Sequence, residues 1–177
     1  MRITVFGGSA PTAGQPAYQE AYQLGRLIGQ DGHTILTGGY IGTMEAASRG
    51  CAEAGGHVIG VTCDEIESWR PVKPNKWVQE EIRLPTVKQR LFTLIESCDH
   101  AVALPGGIGT LAEIAMMWNQ IQVRAISPRR LVLIGSGWKA AFTCMFTELQ
   151  DYIPASHQAY LRFASDAEEA YQQVIEE

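Results

Sequence analysis

Glu113 ends the run Leu104-Pro105-Gly106-Gly107-Ile108-Gly109-Thr110-Leu111-Ala112-Glu113, which directly follows the apolar stretch Ala101-Val102-Ala103-Leu104. A buried strand that delivers glycines and then a helix start has the geometry of an anion cradle. Glycine lets the backbone turn tightly and come close to a ligand, and the free N–H groups and helix dipole attract negative charge. On this reading Gly106, Gly107, Gly109 and Thr110 bind phosphate. A carboxylate repels phosphate, so Glu113 points to a second role beside it. Two other strand ends are built the same way: Gly7-Gly8-Ser9 and Gly38-Gly39-Tyr40-Ile41-Gly42-Thr43. In an open parallel sheet, ligands bind at the carboxyl ends of strands, where the strand order reverses. Gly8, Ser9, Gly38, Gly39, Gly42 and Thr43 are therefore further candidates for a nucleotide or phosphate site.

Arg90 falls in the first turn or so of a helix opened by Thr86, where a cation meets the unfavourable end of the dipole. Helices of such a fold begin at the edge where strands end, which puts Arg90 and Glu113 at the same rim. A paired Arg and Glu beside a phosphate cradle is a hydrolytic constellation. Each residue also has a plainer reading. Thr110 and Glu113 match a capping box, and Arg90 suits a solvated helix face.

The elements that must place these residues alternate along the chain. Ile3–Phe6, Thr34–Leu36, His57–Val61, Ala101–Leu104 and Leu131–Ile134 are the expected core strands, with a weaker sixth at Tyr160–Phe163. Ala17, Ala21, Leu24 and Ile28 share a helical face between Pro16 and Gly32. Met44, Ala47, Cys51 and Ala54 make another such face. Thr86-Val87-Lys88-Gln89 and Ser165-Asp166-Ala167-Glu168 have capping-box form. Strand–helix alternation of this kind predicts one α/β, Rossmann-like, doubly wound domain over residues 1–177, with a parallel sheet and helices on both faces. The segment from Cys63 to Pro85, with Trp69, Pro71, Pro74 and Trp77, shows no sustained period. It reads as a surface excursion or a binding loop. Leu111, Ile114, Trp118 and Ile121, broadened by Met117, form an apolar helical stripe, either for a second subunit or for the chain's own core.

Composition excludes several classes. A net charge of −5 and the absence of a basic run argue against duplex nucleic acid as a partner. Cys51, Cys63, Cys98 and Cys144 are scattered and form no C-x-x-C pair, as expected of reduced thiols in a cytoplasmic protein. The start Arg2-Ile3-Thr4-Val5-Phe6 reads as a strand, not a secretory leader, and no long apolar stretch suits a membrane span. The four histidines show no metal-ligand spacing, and neither a metal nor another cofactor is called for. A dinucleotide site fits poorly, because no turn reads G-x-G-x-x-G and Thr37-Gly38-Gly39 stands where an acidic residue would hold a ribose.

The motif P-G-G-x-G-T-x-x-E, complete from Pro105 to Glu113, resembles that of the LOG family. These are phosphoribohydrolases acting on cytokinin nucleotides, formerly described as lysine decarboxylase-like. Val5-Phe6-Gly7-Gly8-Ser9 and Thr37-Gly38-Gly39-Tyr40-Ile41-Gly42-Thr43-Met44 are similar to the family's first two glycine motifs. The resemblance implies Arg90 and Glu113 as the catalytic pair and a homodimer whose subunits complete each other's sites. It also implies hydrolysis of an AMP-like nucleoside 5′-monophosphate, its base N6-modified or plain, to free base and ribose 5-phosphate. Two departures stand out. Lys88-Gln89-Arg90 lacks the family's Arg-Lys pair, and Thr43-Met44-Glu45 stands where the cytokinin enzymes have Leu-Met-Gly. Some relatives of this fold carry molybdenum cofactor, so a non-catalytic carrier of a nucleotide or of that cofactor is the competing expectation. Lysine decarboxylation fits poorly, since Lys73, Lys76, Lys88 and Lys139 have no cofactor-anchoring context.

Overall fold

A computed structural model describes residues 1–176. Its seven strands are β1 (Arg2–Phe6), β2 (Thr34–Thr37), β3 (His57–Cys63), β4 (Glu80–Leu84), β5 (His100–Ala103), β6 (Leu131–Ile134) and β7 (Leu161–Ala164). Every pairing is parallel, in the order β4-β3-β2-β1-β5-β6-β7. The chain winds outward from β1 to β4, then returns to lay β5 against the other side of β1. The strand order thus reverses between β1 and β5, with Ile3 opposite His100 and Phe6 opposite Ala103. The first strand and the strand that delivers the Pro105–Glu113 motif are therefore direct neighbours.

Helices cover both faces. On one lie α1 (Pro16–Gln30), α2 (Thr43–Glu53) and α8 (Ala167–Ile175), whose Ala21, Leu24, Ile28, Ala47, Tyr171 and Val174 pack on Ile3, Val5 and Ile35. On the other lie α4 (Val87–Glu96), α5 (Ile108–Gln122) and α6 (Ser136–Glu148), which bury Leu94, Ile114, Met117, Ile121 and Phe142 against Phe6, Leu36 and Leu133. Short helices α3 (Asp64–Trp69) and α7 (Ala155–Gln158) complete the set. Among the described residues, no helix is long and apolar enough to cross a membrane.

The structure corrects several expectations. The Cys63–Pro85 segment holds α3 and the edge strand β4. Edge position explains why β4 escapes a hydrophobic pattern: Glu80, Glu81 and Arg83 face solvent, and such charges blunt an open edge against unwanted pairing. The last helix starts one residue later than its signal, since Asp166, not Ser165, accepts the capping bond from Glu169 N–H at 2.8 Å. Thr86 caps α4 as expected by accepting from Gln89 N–H, while Gln89 answers the Thr86 hydroxyl instead of its backbone N–H. Tyr160–Phe163 is realised as β7 one residue further on. Most of the apolar stripe of α5 belongs to the chain's own core: Ile114, Met117 and Ile121 are buried and Trp118 lies edge-on to Phe142 and Phe146, while Leu111 stays exposed.

Candidate active site

The reversal between β1 and β5 leaves a crevice above the carboxyl ends of these strands. It has a volume of about 390 Å³ and is lined by Gly7, Gly8 and Ser9 after β1, by Gly107 to Thr110 at the start of α5, and by Arg90 and Glu113. Three hydrogen bonds hold the turns in place. Gly8 N–H donates to the Pro105 carbonyl at 3.3 Å, and the Thr43 N–H and hydroxyl both donate to the Gly8 carbonyl at 3.0 Å.

α5 begins at Ile108, with Gly107 as a cap residue that offers no side chain. The N–H groups of Ile108, Gly109 and Thr110 consequently lack the intrahelical partners that later residues have. No acidic residue occupies the first turn of α5. Positive dipole charge is thus left open toward the crevice, where Gly107 and Gly109 border free space. This start also removes the capping-box reading of Glu113. Thr110 already lies inside the helix, and the Glu113 side chain turns to Arg90 instead.

Arg90 projects from the first turn of α4 and is held on several sides. Its Nε donates to the Val61 carbonyl at 2.8 Å, its guanidinium lies 5.8 Å from the centre of the Tyr40 ring, and Nη1 lies 3.6 Å from Glu113 Oε1. The two side chains are only 10% and 12% exposed. Burial pushes the Glu113 carboxyl up to about 7, against the opposing pull of the Arg90 charge. The site therefore contains a carboxyl group able to exchange its proton near neutrality, which general acid–base chemistry requires.

The second glycine turn has a different task from the one expected. Gly38, Gly39, Gly42 and Thr43 are all buried and stand behind the crevice wall instead of lining it. A Cβ on Gly38 would collide with Arg90 Nη2, so this glycine makes room for the guanidinium. Gly42, at φ +75°, packs on the backbone of Gly8 and Ser9, where a Cβ would come within 2.6 Å of Ser9 Cα. Gly106 likewise lies outside the crevice and packs against the Thr110 side chain and Gly8. Of the expected residues, Gly8, Ser9, Gly107, Gly109, Thr110, Arg90 and Glu113 share one cavity.

Sequence reasoning missed Tyr40, Met44, Ile66, Trp69 and Arg70, which complete the lining. Tyr40 is buried and exchanges hydrogen bonds with Cys63, accepting from its N–H at 2.8 Å and donating to its carbonyl at 3.2 Å. Asn75 reaches back from the connecting segment and donates to the carbonyls of Gly39 and Tyr40 at 3.0 and 2.9 Å. The signal for Ile66, Trp69 and Arg70 was the aperiodic Cys63–Pro85 segment, which packs over the site, whereas Tyr40 and Met44 stand within the second glycine motif. Among the described residues, no cluster of three or more His, Cys, Asp or Glu side chains is placed to hold a metal ion.

A model of the SLOG cluster4 family matches residues 1–134, the part of the chain that contains this entire crevice. The chain belongs to the SLOG cluster4 family. A cytokinin riboside 5′-monophosphate phosphoribohydrolase of Arabidopsis thaliana is 32% identical to this SLOG chain over 130 residues, which cover 69% of the chain and 57% of that relative. The chain thus spans little more than half of that relative's length. The structure of the molybdenum cofactor binding protein from Rippkaea orientalis superposes with a TM-score of 0.76 at 26% identity, covering 98% of this chain and 94% of that one. The molybdenum cofactor carrier protein of Chlamydomonas reinhardtii gives 0.71 at 29% identity, covering 98% and 97%.

Proposed function

We propose that the protein hydrolyses the N-glycosidic bond of a nucleoside 5′-monophosphate, releasing free base and ribose 5-phosphate. The observation that carries this reading is the buried Arg90–Glu113 pair beside the uncapped start of α5, at the point where strand order reverses. The likeness to a phosphoribohydrolase supports it. The phosphate would sit on the N–H groups of Ile108, Gly109 and Thr110, which brings the ribose toward Glu113. As the bond between C1′ and the base nitrogen breaks, positive charge develops on the sugar, as in glycoside hydrolysis. Ionised Glu113 stabilises that charge and aligns the water, whose oxygen bonds to C1′ as a hydroxyl while its other proton ends on the departing base, which leaves neutral. Arg90 keeps part of the Glu113 population ionised in a site that otherwise favours the neutral acid. The whole chain acts as one nucleotide-binding domain.

The decisive experiment incubates the purified protein with a panel of nucleoside monophosphates and follows free base and ribose 5-phosphate. Release from any of them supports the assignment; intact nucleotide throughout overturns it. A second reading, a carrier without turnover, is favoured by the whole-chain likeness to the two molybdenum cofactor proteins. A phosphate-bearing pterin would offer the same anionic end to α5. Binding without cleavage across the panel would select it.

We also propose a homodimer. With Ile114, Met117 and Ile121 taken up by the core and Ile108 at the crevice, the exposed apolar side chains of these two helices left for a second copy are Leu111 of α5 and Val87 of α4, with Val123 just past the end of α5.

A further inference from the structure

Among the crevice side chains with no role in the hydrolysis described above are Trp69 and Arg70, at the end of α3. Trp69 is 79% exposed, and Ile108, at the start of α5, is 81% exposed. Single exposed apolar residues are ordinary. These two line the same crevice, with Ile66 as a third apolar member, and the floor beneath them is ionic. The crevice therefore suits a molecule with one anionic end and one flat apolar end.

Arg70 supplies a charge that the protein itself leaves unanswered. Its Nη1 donates to Ser9 Oγ at 3.3 Å, while its Nε is buried with no hydrogen-bond partner among the described residues. Nor does it form a salt bridge among them. A guanidinium with a single hydrogen bond to the protein keeps donors in hand for an anion. Arg90 offers no such capacity. Its Nε is bound to Val61, its Nη1 faces Glu113, and its Nη2 fills the space left by Gly38. The two arginines of the crevice thus divide the work, with Arg90 serving the carboxylate and Arg70 free for an anion. The Arg70 guanidinium lies 5.6 Å from the centre of the Trp69 ring, so both side chains form one unit with an outer aromatic face.

We propose that Trp69 and Arg70 select the ligand of this site: Arg70 binds the phosphate together with the α5 N-terminus, and Trp69 stacks on the planar base at the mouth. This rests on the nucleotide reading of the crevice. It adds to that reading the side chains that hold each end of the nucleotide, and it makes the segment between β3 and β4 the determinant of specificity.

Calorimetric binding of AMP and of ribose 5-phosphate tests both arms, in a Glu113→Gln background that blocks the proposed turnover. Stacking on an aromatic side chain is sequence-tolerant, and its removal weakens binding by about tenfold. Trp69→Ala should therefore weaken AMP by that factor and leave ribose 5-phosphate unchanged, with Trp69→Phe restoring most of the loss. Arg70→Ala should weaken both ligands alike, by roughly ten- to a hundredfold. Because Trp69 projects into solvent, its truncation leaves the fold in place, and melting curves of each variant check this. The proposal falls if Trp69→Ala binds AMP normally or weakens both ligands equally. It also falls if Arg70→Ala leaves ribose 5-phosphate binding intact, or if the parent binds neither ligand. Failure of the hydrolase reading looks different: the wild type releases no base, yet the variants still separate the two arms.

Discussion

At the scale of single residues, the site turns on how Glu113 is charged. Its carboxyl ionises near pH 7 instead of 4.5 because burial outweighs the attraction of Arg90. If the ionised form carries the reaction, turnover should rise with pH through about 7, a limb that a rate profile would show. The same shift has a sign in stability. The native state holds the proton more tightly than the unfolded chain, so ionisation costs the folded protein stability as pH rises from 4.5 to about 7. Glu113→Gln should accordingly gain on the wild type in melting temperature between pH 5 and pH 8, a comparison that needs no substrate. Its turnover should fall roughly a hundredfold or more, equivalent to about 2.7 kcal/mol in the barrier. Near-normal hydrolysis by the variant would make the carboxylate structural. Gly38 allows a second test. Gly38→Ala sets a methyl group against Arg90 Nη2 and Met44 Sδ. Displacing the guanidinium should cost activity on the order of a hundredfold with a much smaller loss of stability, measurable by kinetics and denaturation on one preparation.

At the scale of elements, the close approach of α1 and α2 supports the second glycine turn. Both helices carry glycines where they meet: a Cβ on Gly25 would collide with the Ala47 carbonyl, and one on Gly50 with the Tyr22 carbonyl. The missing side chains let the backbones touch, which seats α2 and so fixes Thr43 over Gly8. Gly25→Ala should therefore destabilise the protein by about 1–3 kcal/mol, as overpacking does, even though alanine is the better helix former by itself. A denaturant midpoint equal to the wild type's would show that the helices can separate freely. The glycine positions were visible in the chain, but their purpose was not. A glycine in an amphipathic pattern does not reveal which backbone will lie against it. Similarly, β4 went unseen because an edge strand protected by Glu80, Glu81 and Arg83 has no apolar alternation to display.

At the scale of the whole molecule, the ligand and the second copy make separate predictions. AMP should raise the melting temperature well above the effect of adenosine at equal concentration, since charge-assisted hydrogen bonds to phosphate are worth about 1.5–3 kcal/mol each. Equal shifts for nucleoside and nucleotide would refute a phosphate-anchored crevice. Light scattering at micromolar concentration should give twice the chain mass, and Leu111→Glu should shift it toward the monomer by burying a charge in the interface. A wild type of single-chain mass would rule out the dimer.

Much of the architecture was legible in the chain before any contact was known. Strand–helix alternation implied the parallel sheet, and the glycines after β1 and before α5 marked its reversal point, because tight turns at strand ends depend on local backbone freedom. Arg90 and Glu113 could be assigned to one rim for the same reason, since the direction of winding places helix starts above strand ends. What only the tertiary structure decided was which groups actually meet. It turned Glu113 from its cap toward Arg90, withdrew Gly38, Gly39, Gly42 and Thr43 behind the wall, and brought Trp69 and Arg70 over the cavity. Those outcomes depend on packing between segments far apart in the chain, where burial and close approach outweigh local preference, and no pattern of neighbouring residues encodes them.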